Sequence, residues 1–164
     1  MSARATLDGV QFAAAARRLE GEFGVAELPR LRDLVHDRAG TVRYRLTGHQ
    51  RSDGKPAIRL EVSGMVHLTC QRCLESMQQP VESTRELVFV EQSGLGEIAE
   101  EEAETDYLDA GQALDVEETV EDEVMLCLPM APRHEADRCP AGGAVGSDSG
   151  KPRPFAALSQ WKKH

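Results

Sequence analysis

Thr41-Val-Arg-Tyr-Arg-Leu-Thr47 and Ile58-Arg-Leu-Glu-Val-Ser-Gly-Met-Val-His-Leu-Thr-Cys70 are the most regular stretches of this 164-residue sequence. In both, apolar and polar residues alternate, which is the period of a strand with one face buried and the other in solvent. Between them, Ser52-Asp53-Gly54 supplies residue types that favour a tight turn. The pattern therefore predicts an antiparallel hairpin.

A third strand is predicted from Val81 to Val90. Its last four residues, Leu87 to Val90, are all apolar. An uninterrupted apolar run at the end of a strand is typical of a segment that is covered on both faces. Together with the hairpin, this segment predicts an antiparallel β-sheet of about three or more strands.

Three helices are predicted around the sheet. Residues 10–20 are rich in strong helix formers, and Asp8 stands where a cap is expected. Residues 31–38 carry apolar side chains on one helical face. A third helix is predicted over residues 116–128, with Asp115 as its N-cap. The expected fold class is α+β, with helices that flank the sheet.

The length of the chain is that of one domain, and we expect residues 1–164 to form a single α+β domain. Residues 91–114 combine glycines with many carboxylates, a composition that buries little apolar surface and predicts a long, mobile acidic loop. Residues 140–164 begin with a Gly- and Ser-rich linker and end in a predicted short helix from Pro154 to Lys163.

The formal net charge of −9 is unevenly distributed along the chain. From Glu91 to Glu123 there are fourteen Asp or Glu residues and no Lys or Arg. Residues 1–90 hold 13 basic and 11 acidic side chains, and residues 124–164 hold 6 and 3. Outside the acidic segment the chain is mildly basic, so the net charge alone does not exclude contacts with RNA.

Composition also favours one cellular compartment. The apolar run from Ala13 to Ala16 is followed at once by two arginines, and no stretch approaches the ~20 apolar residues of a membrane span. Four cysteines are too few for a disulfide-dense secreted scaffold. We therefore expect a cytoplasmic protein that does not bind membranes.

The cysteines predict a metal site. Cys70 and Cys73 form a C-x-x-C at the end of the hairpin, and two thiolates at this spacing supply half of a tetrahedral zinc site. His134 and Cys139 follow the third predicted helix and would supply the other half. If the four do not converge, the thiols are simply small buried hydrophobes. Cys127 lies on the apolar stripe of that helix and is expected in the core. The alternative is that Cys127, in place of His134, is the fourth metal ligand.

A thiol-disulfide or metal-transfer protein that uses Cys70 and Cys73 is the alternative function. Redox motifs favour a first cysteine at a helix N-terminus, where the dipole lowers the thiol pKa. Here a strand pattern precedes Cys70, and residues 74–79 do not favour a helix. No G-x-S-x-G, G-x-x-x-x-G-K-[ST] or H-E-x-x-H is present, so we expect neither an enzyme nor a small-molecule substrate.

Four arginines are candidate contacts for RNA or another partner. Arg43, Arg45 and Arg59 are predicted on the outer face of the hairpin, and Arg72 lies within the C-x-x-C. Guanidinium groups in these places are suited to phosphates. Solvent-facing arginines are also common as ordinary surface residues, and no aromatic residue accompanies these for base stacking.

Several segments together resemble the YceD family, the large ribosomal RNA subunit accumulation proteins. They occur in the family's order and at its spacing, from about residue 60 to the end. They are Cys70-Gln-Arg-Cys73-Leu74, Val120-Glu-Asp-Glu-Val-Met-Leu-Cys-Leu-Pro129, His134, Cys139 and Lys151-Pro-Arg-Pro-Phe-Ala-Ala-Leu158.

This resemblance implies a bacterial, non-enzymatic ribosome biogenesis factor. It implies a role in accumulation or processing of the large ribosomal RNA, with its precursor or ribosomal proteins as partners. It also implies that Cys70, Cys73 and Cys139 belong to one site, and that His134 stands where some relatives have another cysteine. Those relatives carry a further cysteine pair downstream, where this chain has only residues 142–150. The acidic segment is then a candidate contact for basic ribosomal proteins.

Overall fold

A computed structural model of the chain describes residues 6–91, 105–135 and 139. Its elements are, in chain order, β1 (Thr6–Asp8), α1 (Gly9–Ala14), β2 (Arg18–Gly24), α2 (Pro29–Arg32), β3 (Thr41–Gln50), β4 (Pro56–Thr69), β5 (Ser76–Val90), β6 (Thr105–Asp109), β7 (Ala113–Asp115) and α3 (Val116–Cys127). None of the helices within these ranges is both long and apolar enough to span a membrane.

The strands form a five-stranded sheet in the order β2-β3-β4-β5-β6 and a small sheet of β1 and β7. The predicted hairpin is confirmed: β3 and β4 are antiparallel, with Leu46 opposite Leu60, and Gly54 adopts a φ of +82° in the turn between them. The expectation of a purely antiparallel sheet is wrong at one edge, because β6 pairs with β5 in parallel. The α+β class is as predicted.

The first predicted helix is too long. α1 ends at Ala14, Ala16 has a φ of +48°, and β2 begins at Arg18. β2 joins the sheet because Leu19 pairs with Leu46 of β3 and the ring of Phe23 stacks on a β3 tyrosine at 5.1 Å between centroids. Cross-strand contacts of this kind outweigh the weak local preference of residues 15–20 for a helix.

The second predicted helix is also displaced. α2 begins at Pro29, two residues earlier than expected, and covers one turn. Its first backbone N–H groups, at Arg30 and Leu31, donate to the Glu121 carboxylate at 2.7 and 3.0 Å. This buried carboxylate of α3 satisfies helix-end groups that would otherwise lack partners. The position of α2 is therefore set by a contact ninety residues away in sequence, which the local pattern does not contain.

The predicted acidic loop over 91–114 is wrong in its second half. Thr105–Asp109 form β6 beside β5, and Ala113–Asp115 form β7 beside β1. Tyr107 and Leu108 of β6 pair with Val88 and Phe89, which are both buried although they point to opposite faces. Residues 92–104 lie outside the described residues, as do the linker and helix predicted over 140–164.

The helices cover one face of the five-stranded sheet, and the core lies between the two layers. α1 packs on β3 and β4, α3 packs on β4 and β5, and α2 packs on α3. The close approach of α1 requires Gly48, since a Cβ there would lie 2.5 Å from the Phe12 carbonyl oxygen. The opposite face, which we call the outer face, presents the polar residues of the alternating pattern to solvent.

α3 begins and ends where the sequence predicts. Asp115 is its N-cap and accepts a hydrogen bond from the backbone N–H of Glu118 at 3.1 Å. Val116, Val120 and Val124 are all fully buried against the sheet. This helix therefore leads the chain across the core towards the C-x-x-C at the far end of the hairpin.

Candidate metal centre

The C-x-x-C forms a tight knuckle between β4 and β5. The backbone N–H of Cys70 donates to the Glu75 carbonyl at 2.9 Å, and that of Leu74 donates to the Cys70 carbonyl at 2.8 Å. The turn requires a left-handed residue, and Leu74 supplies it with a φ of +64°. The backbone N–H of Arg72 points at the Cys70 sulfur, 3.5 Å away. The knuckle thus orients the first thiol with backbone donors.

The segment after α3 lies directly against this knuckle. The Gln71 backbone N–H donates to the Pro132 carbonyl at 2.8 Å. This contact brings His134 next to Cys73, with 3.4 Å between Nδ1 and Sγ. Cys139 completes the group, which we call the Cys/His cluster: Cys70, Cys73, His134 and Cys139.

The four ligand atoms of the Cys/His cluster all lie within 4.8 Å of one another. In a tetrahedral zinc site, bonds of about 2.3 Å to sulfur and 2.0–2.1 Å to nitrogen separate neighbouring ligand atoms by roughly 3.5 to 3.8 Å. The cluster is therefore close to the size that one such ion requires. In the part of the chain that the structure describes, no other group of His, Cys, Asp or Glu side chains meets this criterion.

The imidazole of His134 is oriented by a second contact. Its Nε2 lies 3.2 Å from the Ser76 carbonyl oxygen, which can only accept a hydrogen bond. Nε2 must therefore carry a proton, which leaves Nδ1, next to the Cys73 sulfur, as the nitrogen that would bind a metal. A backbone carbonyl that fixes the tautomer of a histidine in this way is typical of metal ligands.

The thiols of the Cys/His cluster differ in how readily they ionise. Burial disfavours the Cys70 thiolate, but hydrogen bonds from the backbone N–H groups of Cys73, His134 and Arg72 outweigh it and lower the Cys70 pKa to about 5. Burial raises the pKa of Cys73, and the neighbouring Cys139 and Cys70 sulfurs add to that effect. Contact with Cys70 raises the pKa of His134. Because three thiolates this close would repel one another, the cluster favours either protonated thiols or thiolates bound to one shared cation.

Arg72 lies in the knuckle, as its sequence position predicts, and its side chain contacts this cluster. Its guanidinium donates to the Cys139 sulfur, and the charges of Cys139, Cys70 and Cys73 further raise the Arg72 pKa. Three thiolates and one divalent ion carry a net charge of −1, which an adjacent arginine offsets. In this structure Arg72 therefore interacts with thiol sulfur, a contact that its sequence position did not indicate.

Arg43 and Arg45 are on the outer face, as predicted, but carboxylates surround them. Arg43 lies 3.9 Å from Glu22, and Arg45 lies 3.6 Å from Glu20 and 3.3 Å from Glu61. Two of these carboxylates, Glu20 and Glu22, belong to β2, which the sequence did not predict as a strand. Their arrival means that this part of the outer face has no excess of positive charge.

Arg59 is also exposed on the outer face, between Thr47 of β3 and Glu86 of β5. Glu86 already accepts hydrogen bonds from Arg51, at 2.8 Å, and lies 2.9 Å from His49 Nε2. Arg59 makes no ion pair with another described residue. It is therefore the predicted arginine whose guanidinium is most available to a partner.

Cys127 is not part of the Cys/His cluster. It packs partly buried beside the core, next to Ser83, and burial raises its pKa. The sequence also did not single out Ser76 and Pro132, whose backbone carbonyls hold the two halves of the cluster together. Backbone groups leave no signal in side-chain identity, so no pattern in the sequence marks them.

Comparison with known proteins identifies a family. The profile described as "Large ribosomal RNA subunit accumulation protein YceD" matches residues 58–162. A protein of that name from Haemophilus influenzae is 28% identical over 162 residues, covering 91% of each chain. No solved structure shows significant similarity. The match includes the knuckle, α3 and both halves of the Cys/His cluster, and the chain therefore belongs to the YceD family.

Proposed function

We propose that this protein is a ribosome biogenesis factor that promotes accumulation or processing of the large ribosomal RNA and catalyses no reaction itself. The observation that carries the proposal is the family match over residues 58–162. The family's name describes the accumulation of an RNA and no catalysed reaction. Such a role places the protein in the bacterial cytoplasm, where ribosomal subunits are assembled.

The Cys/His cluster is proposed to bind one Zn²⁺. Three sulfurs and one nitrogen form a donor set that suits this ion, and these protein atoms would fill all four coordination positions of a tetrahedral site. A site without an open position favours a structural role over a catalytic one. Bound zinc would fasten the segment after α3 to the end of the β4–β5 hairpin.

Two partners were expected from the family, an RNA precursor and ribosomal proteins, and the charge of the described surface favours the proteins. The outer-face arginines Arg43 and Arg45 lie beside carboxylates, which weakens their attraction for phosphate. Residues 105–128 carry eight carboxylates and no Lys or Arg. Ribosomal proteins are basic because they contact RNA, so this acidic side is suited to them. Arg59 is the proposed contact if RNA also binds.

The cellular test is the ratio of large-subunit to small-subunit ribosomal RNA after depletion of the protein. We expect the ratio to fall and the wild-type chain to restore it. Cys139→Ser should restore it poorly, whereas Cys127→Ser, which removes a thiol outside the cluster, should restore it fully. An unchanged ratio after depletion would remove the proposed function.

The partner class has its own test. The purified full chain should bind purified large-subunit ribosomal proteins, and deletion of residues 97–109 should reduce recovery by removing carboxylates. This deletion also removes β6 (Thr105–Asp109) from the sheet, so a loss of recovery could reflect damage to the fold, and circular dichroism must accompany it. Substitution of Glu97, Glu100, Glu101, Glu102 and Glu104 by Gln avoids the problem. Undiminished recovery with that variant would exclude residues 97–104 as the contact and would leave the carboxylates of residues 105–128 to be tested in the same way.

A thiol-disulfide or metal-transfer protein remains the second candidate, because the lowered Cys70 pKa is a feature of redox cysteines. Reactive cysteines are, however, partly exposed, and the Cys70 side chain is fully buried. Alkylation of the metal-free protein at neutral pH separates the two functions. Modification of Cys70 much faster than of Cys127 would favour the redox function, and an ordinary rate would exclude it.

A further inference from the structure

A groove of about 530 Å³ lies between α3 and the β5–β6 edge of the sheet, and none of its lining residues belongs to the Cys/His cluster. Its lining is mostly apolar. Leu126 of α3 forms one wall and is 71% exposed, an unusual degree for a leucine on a helix that otherwise packs well. The remaining apolar lining consists of Leu60, Leu87, Tyr107, Leu108, Leu114 and Met125.

The surroundings of the groove are strongly acidic. Asp106 and Asp122 line it and are about half exposed, at 52% and 53% of their side chains. Two arginines reach this side, and each bridges two carboxylates: Arg30 contacts Glu121 and Asp122, and Arg85 contacts Asp106 and Glu123. Since residues 105–128 carry eight carboxylates, a clear negative excess remains. An occupant should therefore combine apolar side chains with positive charge.

Two segments of the chain itself are possible occupants, and only one of them combines apolar side chains with positive charge. Residues 92–104 hold five glutamates and no Lys or Arg, so like charges would oppose their approach. Residues 140–164 hold four Lys or Arg and a single aspartate. Within them, Phe155, Leu158 and Trp161 provide apolar side chains at intervals of three, flanked by Arg153 and Lys162.

The distances along the chain permit this segment to reach the groove. Eight residues separate Leu126, in the groove wall, from His134, in the cluster that also contains Cys139. They span at most ~29 Å. The sixteen residues from Cys139 to Phe155 can extend over roughly 50 Å. No rearrangement of the described fold is needed.

We propose that residues 151–163 of this chain dock in the groove between α3 and the β5–β6 edge. Their apolar side chains would pack against the leucines of the groove, and their cations would face Asp106 and Asp122. The docked segment would cover Leu126 and offset part of the acidic charge of α3. This inference rests on the groove, the charges and the sequence of the tail. A docked tail would compete with ribosomal proteins for part of the acidic side formed by residues 105–128.

Trp161 is the only tryptophan of the chain, so its fluorescence reports on the tail directly in the full-length protein. We expect its emission to be blue-shifted, and its quenching by acrylamide several-fold weaker, relative to a synthetic peptide of residues 150–164. Leu126→Ser and Asp106→Lys should each move both values towards those of the peptide. Leu74→Ser, which removes an equally exposed leucine at the knuckle, is the matched control and should change neither.

Three outcomes would overturn the inference. Trp161 in the full chain could be as accessible as in the peptide. It could be shielded but insensitive to Leu126→Ser and Asp106→Lys while circular dichroism shows both variants folded, which would place the tail elsewhere. Its shielding could vanish on dilution, which would assign the groove to the tail of a second copy. Weaker shielding at high salt, where the charges are screened, would support docking in the acidic groove.

Discussion

The Cys/His cluster and the outer face of the sheet are both built on the β3–β4–β5 strands, yet neighbouring segments affect them in opposite ways. At the cluster, His134 comes from 61 residues beyond Cys73 and adds a nitrogen to the group of potential metal ligands. On the outer face, β2 places Glu20 and Glu22 beside the arginines and cancels their charge. A metal-binding motif predicted from spacing gains its remaining ligands when a distant segment packs against it. The charge of a strand face, in contrast, cannot be predicted from that strand alone, because side chains of the neighbouring strand change it.

The largest effect should follow from removing a ligand of the Cys/His cluster. Cys139→Ser should reduce bound metal from about one ion per chain to almost none, because serine is a poor zinc ligand at neutral pH. Loss of a structural metal should also lower the thermal midpoint by roughly 10 °C. Metal content and calorimetry of protein purified without chelator measure both values.

Cys127→Ser is the matched control for that experiment, since it removes a thiol that lies outside the cluster. It should keep the metal. If Cys139→Ser retained one ion per chain, or if Cys127→Ser lost it, the assignment of ligands would be wrong.

The next effect concerns the outer face, where removal of the carboxylates should release the arginines. Glu20→Gln, Glu22→Gln and Glu61→Gln together should strengthen binding to single-stranded RNA and steepen its salt dependence. With two arginines freed, the slope of log K against log salt should become more negative by roughly 1 to 2. Fluorescence anisotropy over a series of salt concentrations measures this slope.

A control must separate this local effect from a change in net charge. Glu75→Gln, Glu91→Gln and Glu118→Gln remove the same number of charges at exposed positions away from these arginines. Equal gains in RNA affinity for both triple variants would show that pairing on the outer face is unimportant.

The regular part of the fold was predictable from local pattern. Alternation places β3 and β4 correctly, and capping places the start of α3 at Asp115. β2 was missed because its strand conformation depends on pairing with β3, which a window of residues 10–20 does not contain. β6 was missed because its composition is acidic and because its pairing with β5 is parallel, which no local turn pattern predicts.

The candidate site was predictable in its residue types and not in its details. Cysteine and histidine spacing predicts the four members of the cluster, and the structure brings those four together. The contact that Arg72 makes was not predictable, because the sulfur belongs to Cys139, sixty-seven residues later in the sequence. The charge of the outer face was mispredicted for the same reason as β2: residues 18–20 were assigned to a helix and 21–24 to no strand, so Glu20 and Glu22 were not expected beside the arginines.

A smaller effect is expected at the turn of the knuckle. Leu74 has a φ of +64°, a conformation that costs a residue with a Cβ about 1 kcal/mol relative to glycine. Leu74→Gly should therefore raise the free energy of unfolding by up to ~1 kcal/mol. Leu74→Ala, which keeps the Cβ, should not. Urea denaturation of both variants is the measurement, and a less stable glycine variant would contradict the strained turn.

The smallest effect should come from Asp37, which binds His67 near the edge of the outer face. The backbone N–H of Ala39, and then the His67 ring at 3.0 Å, lower the Asp37 pKa below its ordinary value of 3.8. Because the folded pKa is lowered, the ionised carboxylate stabilises the fold above that value, and the contribution is lost as pH falls through the lowered pKa.

Asp37→Asn should therefore be less stable than the wild type near neutral pH, and the difference should shrink below pH 3.8. Urea denaturation across this pH range measures it. Asp33→Asn makes the same charge change at an exposed neighbour and is the control. A stability difference that does not depend on pH would show that the carboxylate charge is not responsible.

X-ray absorption spectroscopy at the zinc edge, on protein purified without chelator, examines the Cys/His cluster most directly. We predict one zinc per chain with three sulfur neighbours at about 2.3 Å and one nitrogen neighbour at 2.0–2.1 Å. Protein that is folded but free of metal, or a shell with fewer than three sulfurs, would contradict a site made of Cys70, Cys73, His134 and Cys139.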